Sequence, residues 1–396
     1  PRPYSLFQTV AADGKNTGLV TSTGQVWHEN RRFTLRTLRD FGFGKASMND
    51  VIMQDVKALM QVMEKKAGQP TDIGFNLNIA IVNIIWRLVG NESFDHDNPK
   101  ILDFFNRLQN ALEGLRGPGM VRPWLYPLIN PRGLAAINHF KAAFETFREA
   151  IKEHKESRDP GFNRDYIDAY LEEATGPTSF EHTISEDNLL YNIRQLFIAG
   201  SETTATSIRW ALLILTAKPD VQARVRQEID RVVGRDREVS IDDRPHLPYL
   251  EAFIHELLRF SSIAAIGVPH SCSEDMIYKG FLIPKGSWLI ANLFGIHHDP
   301  KFWPEPFQFK PERFLDAQGQ VDHSQRKALM PFSAGKRQCL GETLARIELF
   351  LFLANFVQRF VFKEDPNEPL PSLKPTGVTG PVIRPQPYRL VIEVRQ

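Results

Sequence analysis

Through most of the chain apolar residues return every three or four positions, the period of a helix with one buried face, and they seldom alternate as a strand requires. The spacing predicts helices over Trp27–Leu38, Val51–Lys66, Asn76–Val89, Ile101–Leu115 and Ile137–Lys155. Ser185–Thr216 reads as one long helix: Ser185 can cap the first turn, and Glu186 and Asp187 meet the positive end of the dipole. Pro219–Val233, Leu250–Phe260 and Gly341–Arg359 continue the series. After Phe260 glycine, proline and β-branched residues take over; Tyr278–Asn292 reads as a hairpin and Tyr388–Val394 as a terminal strand. The expected fold is mostly α with a minor sheet.

Two stretches stand out from that pattern. The first helix is strongly basic, with Arg31, Arg32 and Arg36. Residues 116–131 are rich in glycine and proline yet apolar. Solvated loops are seldom built from Trp124, Leu125, Tyr126, Leu128 and Ile129, so this loop either folds onto the core or faces a membrane or a substrate entrance.

Composition changes little. The chain has 396 residues, 42% hydrophobic and 24% charged, with net charge +1, ample for a large core. No linker-like tract or repeat divides it, so a single domain over 1–396 is expected. Two cysteines, Cys272 and Cys339, make no disulfide framework and point to a reducing compartment. Cys272 reads as structural, having no His/Cys cluster around it. No apolar run is long enough to span a bilayer, and no signal peptide is visible.

The most specific chemistry lies in Phe332-Ser-Ala-Gly335-Lys-Arg337-Gln-Cys339-Leu-Gly341. Two glycines keep this loop open, a cation sits two residues before the sulfur, and a long apolar helix follows. Electropositive neighbours and free amide N–H groups at a helix start are what keep a thiol ionised. A buried structural cysteine beside a helix cap is the bland alternative. Spelled F-x-x-G-x-R-x-C-x-G, the stretch resembles the haem-binding loop of the cytochrome P450 family, the haem-thiolate monooxygenases. The resemblance implies haem b as cofactor, Cys339 as the iron ligand, Phe332 packed beside it and Arg337 paired with a haem propionate.

Further motifs match the same family in the same order. Glu256-Leu-Leu-Arg259, with Phe302-Trp-Pro-Glu-Pro and Phe309-Lys-Pro-Glu-Arg313-Phe, resembles a buried Glu/Arg/Arg network behind the cysteine loop; read alone, Glu256 and Arg259 are an i, i+3 surface pair. Ala199-Gly200-Ser201-Glu202-Thr203-Thr204 puts a glycine and hydroxyls inside the long helix, where glycine costs about 1 kcal/mol against alanine. It resembles the family's oxygen-activation segment, in which the helix loosens. The match implies that Thr203 hydrogen-bonds dioxygen or its water and that Glu202 feeds protons inward. The alternative is a hydroxyl bonded to the i−4 carbonyl with Glu202 solvated.

Trp27-His-Glu-Asn-Arg31 resembles the family's W-x-x-x-R helix, which sets an indole N–H and a guanidinium on one face for a propionate. Val268-Pro-His270 resembles the turn whose histidine meets a propionate, although a lone histidine is more often a polar surface residue. Arg2 is a further candidate anchor, at a slightly longer spacing from Trp27 than the family shows.

These matches sit closest to the animal microsomal branch that oxidises xenobiotics, fatty acids and steroids. The resemblance implies one oxygen atom inserted into an apolar substrate, with a pocket lined by Phe197, Ala199, Thr203, the turn Ile263–Val268, and Val378. No dinucleotide fingerprint is present, so electrons come from outside. An NADPH-cytochrome P450 reductase, and cytochrome b5 beside it, would dock on the basic face formed by Lys336, Arg337 and the first helix. No nucleic acid is expected among the partners. The parent protein is expected at the cytoplasmic face of the endoplasmic reticulum membrane. A chain starting at Pro1 is expected to lack the family's N-terminal anchor, early helices and first strands, leaving the edges of the Trp288 hairpin unpaired. A haem-thiolate isomerase, a peroxide-consuming enzyme or a truncated non-enzymatic fragment are the competing readings.

Overall fold

The computed structural model describes residues 1–3, 14–43, 47–96, 98, 101, 103–104, 145–176, 183–375 and 382–395. The apolar loop at 116–131, most of the helix expected at Ile101–Leu115, and Val378 lie outside the described residues.

The helices are α1 (Gly24–Asp40), α2 (Ser47–Lys65), α3 (Gly74–Gly90), α4 (Glu145–Ser157), α5 (Tyr166–Thr175), α6 (Glu186–Ala217), α7 (Pro219–Val232), α8 (Pro248–Ser261), α9 (Leu293–His297) and α10 (Glu342–Arg359). The expected long helix is α6, and the Ser185 hydroxyl caps it by accepting from the Asn188 amide at 3.3 Å. Helices α2, α3, α6 and α10 pack on one another in a closed ring, a four-helix bundle at the centre of the core. Gly200 has a packing reason for being there: a Cβ would come within 2.8 Å of Ile85 Cγ1 on α3. The glycine lets α6 approach α3 closely, which more than offsets its poor helix propensity.

The strands are β1 (Pro70–Thr71), β2 (His270–Ser271), β3 (Met276–Tyr278), β4 (Phe281–Ile283), β5 (Trp288–Leu289), β6 (Phe360–Glu364) and β7 (Leu390–Val394). All ladders are antiparallel, in the orders β1-β7-β6, β2-β5 and β3-β4. The expected hairpin at Tyr278–Asn292 is two structures. Lys279 and Gly280, at φ +50° and +84°, turn β3 into β4. Pro284 has no N–H to extend that ladder, and Trp288–Leu289 pairs instead with His270–Ser271. One edge of β5 is paired with β2; its other edge has no partner among the described residues. No helix among the described residues is long and apolar enough to cross a membrane.

Candidate active site

The cysteine loop is closed by its own backbone. Ser333, at φ +61°, ends a turn in which its N–H donates to the Met330 carbonyl at 3.1 Å. Gly335, at φ +77°, reverses the chain into a 3₁₀ turn over Gly335–Arg337, a conformation that costs a glycine little. The Cys339 N–H then donates to the Phe332 carbonyl at 2.9 Å, which sets the sulfur just ahead of α10. Phe332 packs on the core while its ring lies 4.9 Å from the Arg346 guanidinium.

The Cys339 side chain is exposed, yet protein crowds round it, and this burial raises the thiol above its ordinary pKa. The Gly341 amide pulls the pKa down, Glu342 raises it, and Arg31 lowers it. Desolvation outweighs the ionising groups that the sequence points to. The free protein therefore carries a thiol at neutral pH.

Beside the thiol lies a group of cations with no carboxylate partner among the described residues. The Arg337 guanidinium stacks on the Trp27 ring at 3.9 Å from its centroid and donates to the Ser22 carbonyl at 2.8 Å. Its Nη1 is buried with no hydrogen-bond partner, and so is Trp27 Nε1. Arg31, one turn on from Trp27, donates to the Gln338 carbonyl at 2.8 Å and ties α1 to the loop. Arg2 reaches the Val268 and Pro269 carbonyls at 2.7 and 2.9 Å, next to His270. Burial pushes Arg2 down to about 10; burial, with Arg2 and Arg31 nearby, pushes Arg337 down to about 10. His270 is held below its ordinary value by burial, then by Arg2, the N-terminal amine and Arg337. Buried donors without acceptors, beside cations without anions, fit an anionic group. With the thiol, the set fits haem b: a soft ligand for iron and donors for two propionates.

On α6, Ala199 is exposed and Thr203 partly so, on the same face one turn apart. Phe197 is turned away from them. It is buried among Trp86, Phe104 and Phe147 at centroid separations of 6.0, 5.1 and 5.1 Å, so it belongs to the core rather than to the expected pocket lining. In the turn Ile263–Val268, Ile266 and Val268 are the exposed apolar side chains. The helix does not loosen at the Ala199–Thr204 motif but runs unbroken from Glu186 to Ala217. The Thr203 hydroxyl donates to the Ala199 carbonyl at 2.7 Å, and this leaves its lone pairs to accept. Glu202 is not simply solvated: it accepts from Arg384 Nε at 2.7 Å and from the Thr206 hydroxyl at 3.0 Å.

Glu256 and Arg259 are not a surface pair. Both are fully buried, joined by hydrogen bonds of 2.7 and 2.8 Å, and Arg313 reaches Glu256 at 3.3 Å. Arg259 also donates to the His297 carbonyl at 2.8 Å, and the His297 ring accepts from the Met330 amide at 3.0 Å. His297 thus links this network to the first turn of the cysteine loop. Its position in a short helix within an irregular stretch gave the sequence no signal for that role.

The sequence model of the family described as Cytochrome P450 matches residues 2–392. Cytochrome P450 2D15 of Canis lupus familiaris is 40% identical over 402 residues, which cover 99% of this chain and 79% of that one. Vitamin D(3) 25-hydroxylase of Sus scrofa is 39% identical over 98% of this chain and 78% of its own, and Farnesoate epoxidase of Bombyx mori is 36% identical over 100% and 80%. A match of that extent agrees with the thiol and the unpaired donors around it: the chain belongs to the cytochrome P450 family, the haem-thiolate monooxygenases, whose cofactor is haem b.

Proposed function

We propose that this protein inserts one oxygen atom of dioxygen into an apolar, lipid- or drug-like substrate, with NADPH electrons delivered by a reductase. The observation that carries the reading is an accessible thiol at a helix start beside cations with no carboxylate partner among the described residues. Haem b, when bound, supplies the iron chemistry that activates dioxygen. Cys339 ligates as the thiolate, and Phe332 and the Gly341 amide hold its sulfur in place. Trp27, Arg31, Arg337 and His270 hold the propionates; Arg2 keeps its hydrogen bonds to backbone carbonyls and adds positive charge.

Thr203, already donating to Ala199, acts as a hydrogen-bond acceptor on the oxygen side of the site. Glu202 can pass a proton inward only when it lets go of Arg384, so the Arg384 pair sets when it is free to act. This acid–alcohol pair favours a monooxygenase over an isomerase or a peroxide-consuming enzyme. The exposed apolar Ile266 and Val268 suit an apolar substrate, as do the vitamin D and farnesoate in the names of two relatives.

The exposed cations Lys336 on the loop and Arg32 and Arg39 on α1 belong to elements joined by the Arg31–Gln338 contact, and they offer a basic face to an acidic reductase, with cytochrome b5 as a second donor. The place of action is the cytoplasmic face of the endoplasmic reticulum membrane. The test is reconstitution with an NADPH-cytochrome P450 reductase and a panel of fatty acids, steroids and drug-like amines. NADPH consumption with hydroxylated or epoxidised product supports the reading. Turnover that needs only peroxide, or isomerisation without NADPH, contradicts it.

A further inference from the structure

Asn30 lies on α1 between Trp27 and Arg31, and its side chain is fully buried. All four hydrogen-bonding positions of its amide are filled. Nδ2 donates to the Val26 carbonyl at 2.9 Å and to the Thr183 carbonyl at 2.6 Å. Oδ1 accepts from the Tyr170 hydroxyl of α5 at 2.7 Å and from Asn192 Nδ2 of α6 at 2.8 Å. The two carbonyls can only accept, so the amide has one orientation. The network runs on past Asn30. Asn192 Nδ2 also donates to the Tyr166 hydroxyl at 3.2 Å, and that hydroxyl shares a hydrogen bond of 2.8 Å with Thr34, one turn further along α1. Asn192 Oδ1 is left buried with no hydrogen-bond partner among the described residues, an acceptor given up to keep both donors in place.

The cysteine loop meets α1 on a neighbouring flank, with Trp27 and Arg31 about 60° and 100° round the helix from Asn30. There the Trp27 ring stacks on the Arg337 guanidinium at 3.9 Å, and Arg31 donates to the Gln338 carbonyl at 2.8 Å. Two of the propionate donors thus ride on one helix, and the stack makes Arg337 follow them. A side-chain tip stands about 5–6 Å from the helix axis, so a roll of about 20° moves it by about 2 Å, more than a hydrogen bond survives. Apolar packing opposes such a roll weakly, because the hydrophobic effect has no direction. A buried amide with every position satisfied opposes it strongly. On α6, Asn192 is within about 20° of the phase of Ala199 and Thr203. Its bond to Asn30 therefore links the helix of the propionate donors to the helix that carries Thr203.

We propose that Asn30 is a positioning residue: held by Tyr170 and Asn192, it sets the roll of α1 and with it the aim of Trp27, Arg31 and Arg337 at the haem propionates. It acts through those three side chains, and the proposal rests on the reading of them as propionate donors. A role in orientation explains why an amide occupies a core position that leucine would fill without needing four partners.

The test compares haem-loaded wild type with Asn30→Leu, which keeps the volume approximately and removes all four bonds. Leu38→Ala is the control: Leu38 is buried on the same helix two turns beyond the hub, so this variant loses stability without loosening the amide. Both variants should unfold at lower urea concentrations. Asn30→Leu alone should shift the propionate bending bands of the resonance Raman spectrum. It alone should also release haem to an excess of a tight haem scavenger about tenfold faster, the worth of one weakened charge-assisted hydrogen bond. Tyr170→Phe keeps the ring and removes one bond; it should move both readouts the same way but less, and adding it to Asn30→Leu should change neither further. Wild-type bands and release in Asn30→Leu, or equal changes in Leu38→Ala, overturn the proposal. Wild-type behaviour of Tyr170→Phe overturns it too, so the test stands even where Asn30→Leu holds no haem. Arg31→Leu separates the proposal from the reading beneath it. Bands that move in Arg31→Leu and not in Asn30→Leu contradict the role of Asn30 alone. Bands that move in Asn30→Leu and not in Arg31→Leu contradict Arg31 as a propionate donor and leave Asn30 acting through Trp27 and Arg337.

Discussion

The Met330 backbone N–H donates to Nε2 of His297 at 3.0 Å, and this bond joins the cysteine loop to the buried Glu256–Arg259 core. With Nε2 accepting, the proton of the neutral ring lies on Nδ1, which donates to the Ser262 hydroxyl at 3.0 Å. Burial, then His298 and Arg259, push His297 down to about 4, so the ring stays neutral through the physiological range.

His297→Leu should leave the partly buried Met330 amide unpaired and cost about 1–2 kcal/mol in urea unfolding. The loop should then hold the sulfur less firmly, so a larger share of the reduced, carbon monoxide-bound protein absorbs as a thiol-ligated form. His297→Gln, which can accept the same bond, should recover part of both losses. An unchanged spectrum in His297→Leu would mean that the loop holds its shape unaided.

Removing Arg259 should do more damage than removing His297. Arg259→Ala strands Glu256 in the core with Arg313 and the Lys310 amide as its remaining partners among the described residues. A broken buried pair costs roughly 3–5 kcal/mol. Chemical denaturation of the haem-free protein measures this directly, apart from any effect on haem retention.

Two buried groups should give stability opposite pH slopes. His297 has a folded pKa of about 4, below its unfolded value, so its contribution is present above about 6.5 and is lost as the pH falls toward 4. Glu348 has a folded pKa of about 8, above its unfolded value, so its contribution is full below about 4.5 and is lost as the pH rises to 8. Each slope approaches about 1.4 kcal/mol per pH unit where only one state binds the proton. Glu348→Gln should flatten the decline between neutral pH and 8; a curve parallel to the wild type there would show that Glu348 is not the group titrating.

Thr203→Ala should bind substrate and accept electrons but send a larger share of them into hydrogen peroxide. Thr203→Ser keeps an oxygen at that position and should couple nearly as the wild type does. The readout is product and peroxide per NADPH, and equal coupling in all three proteins would reduce Thr203 to a space-filling residue.

Local signals were legible where the chemistry is compact in sequence. The cysteine loop, the Glu256–Arg259 spacing and the Ser185 cap each occupy a few adjacent residues, and the structure shows the turn, the pair and the cap. What stayed hidden depends on residues far apart. Gly200 looks like a functional break in a helix until Ile85 is seen against it. Glu348 sits in an apolar helix whose sequence does not say what the neighbouring helices bring to it. The pairing of Trp288 with Ser271 needed the turn at Lys279–Gly280 to end its own hairpin early. Helical phase also decides Phe197, which lies about 200° round α6 from Ala199 at 3.6 residues per turn and so faces the core.

The central claim is that Cys339 is the thiolate ligand of haem iron, and the reduced, carbon monoxide-bound absorption spectrum tests it most directly. The wild type and Cys272→Ser should both show the long-wavelength band of thiolate ligation, since Cys272 is buried with its thiol directed at the Glu274 carbonyl. Cys339→Ser should lose that band, because a hydroxyl is a poor ligand for a soft site. A Cys339→Ser protein that keeps the band, or a Cys272→Ser protein that loses it, would contradict the account.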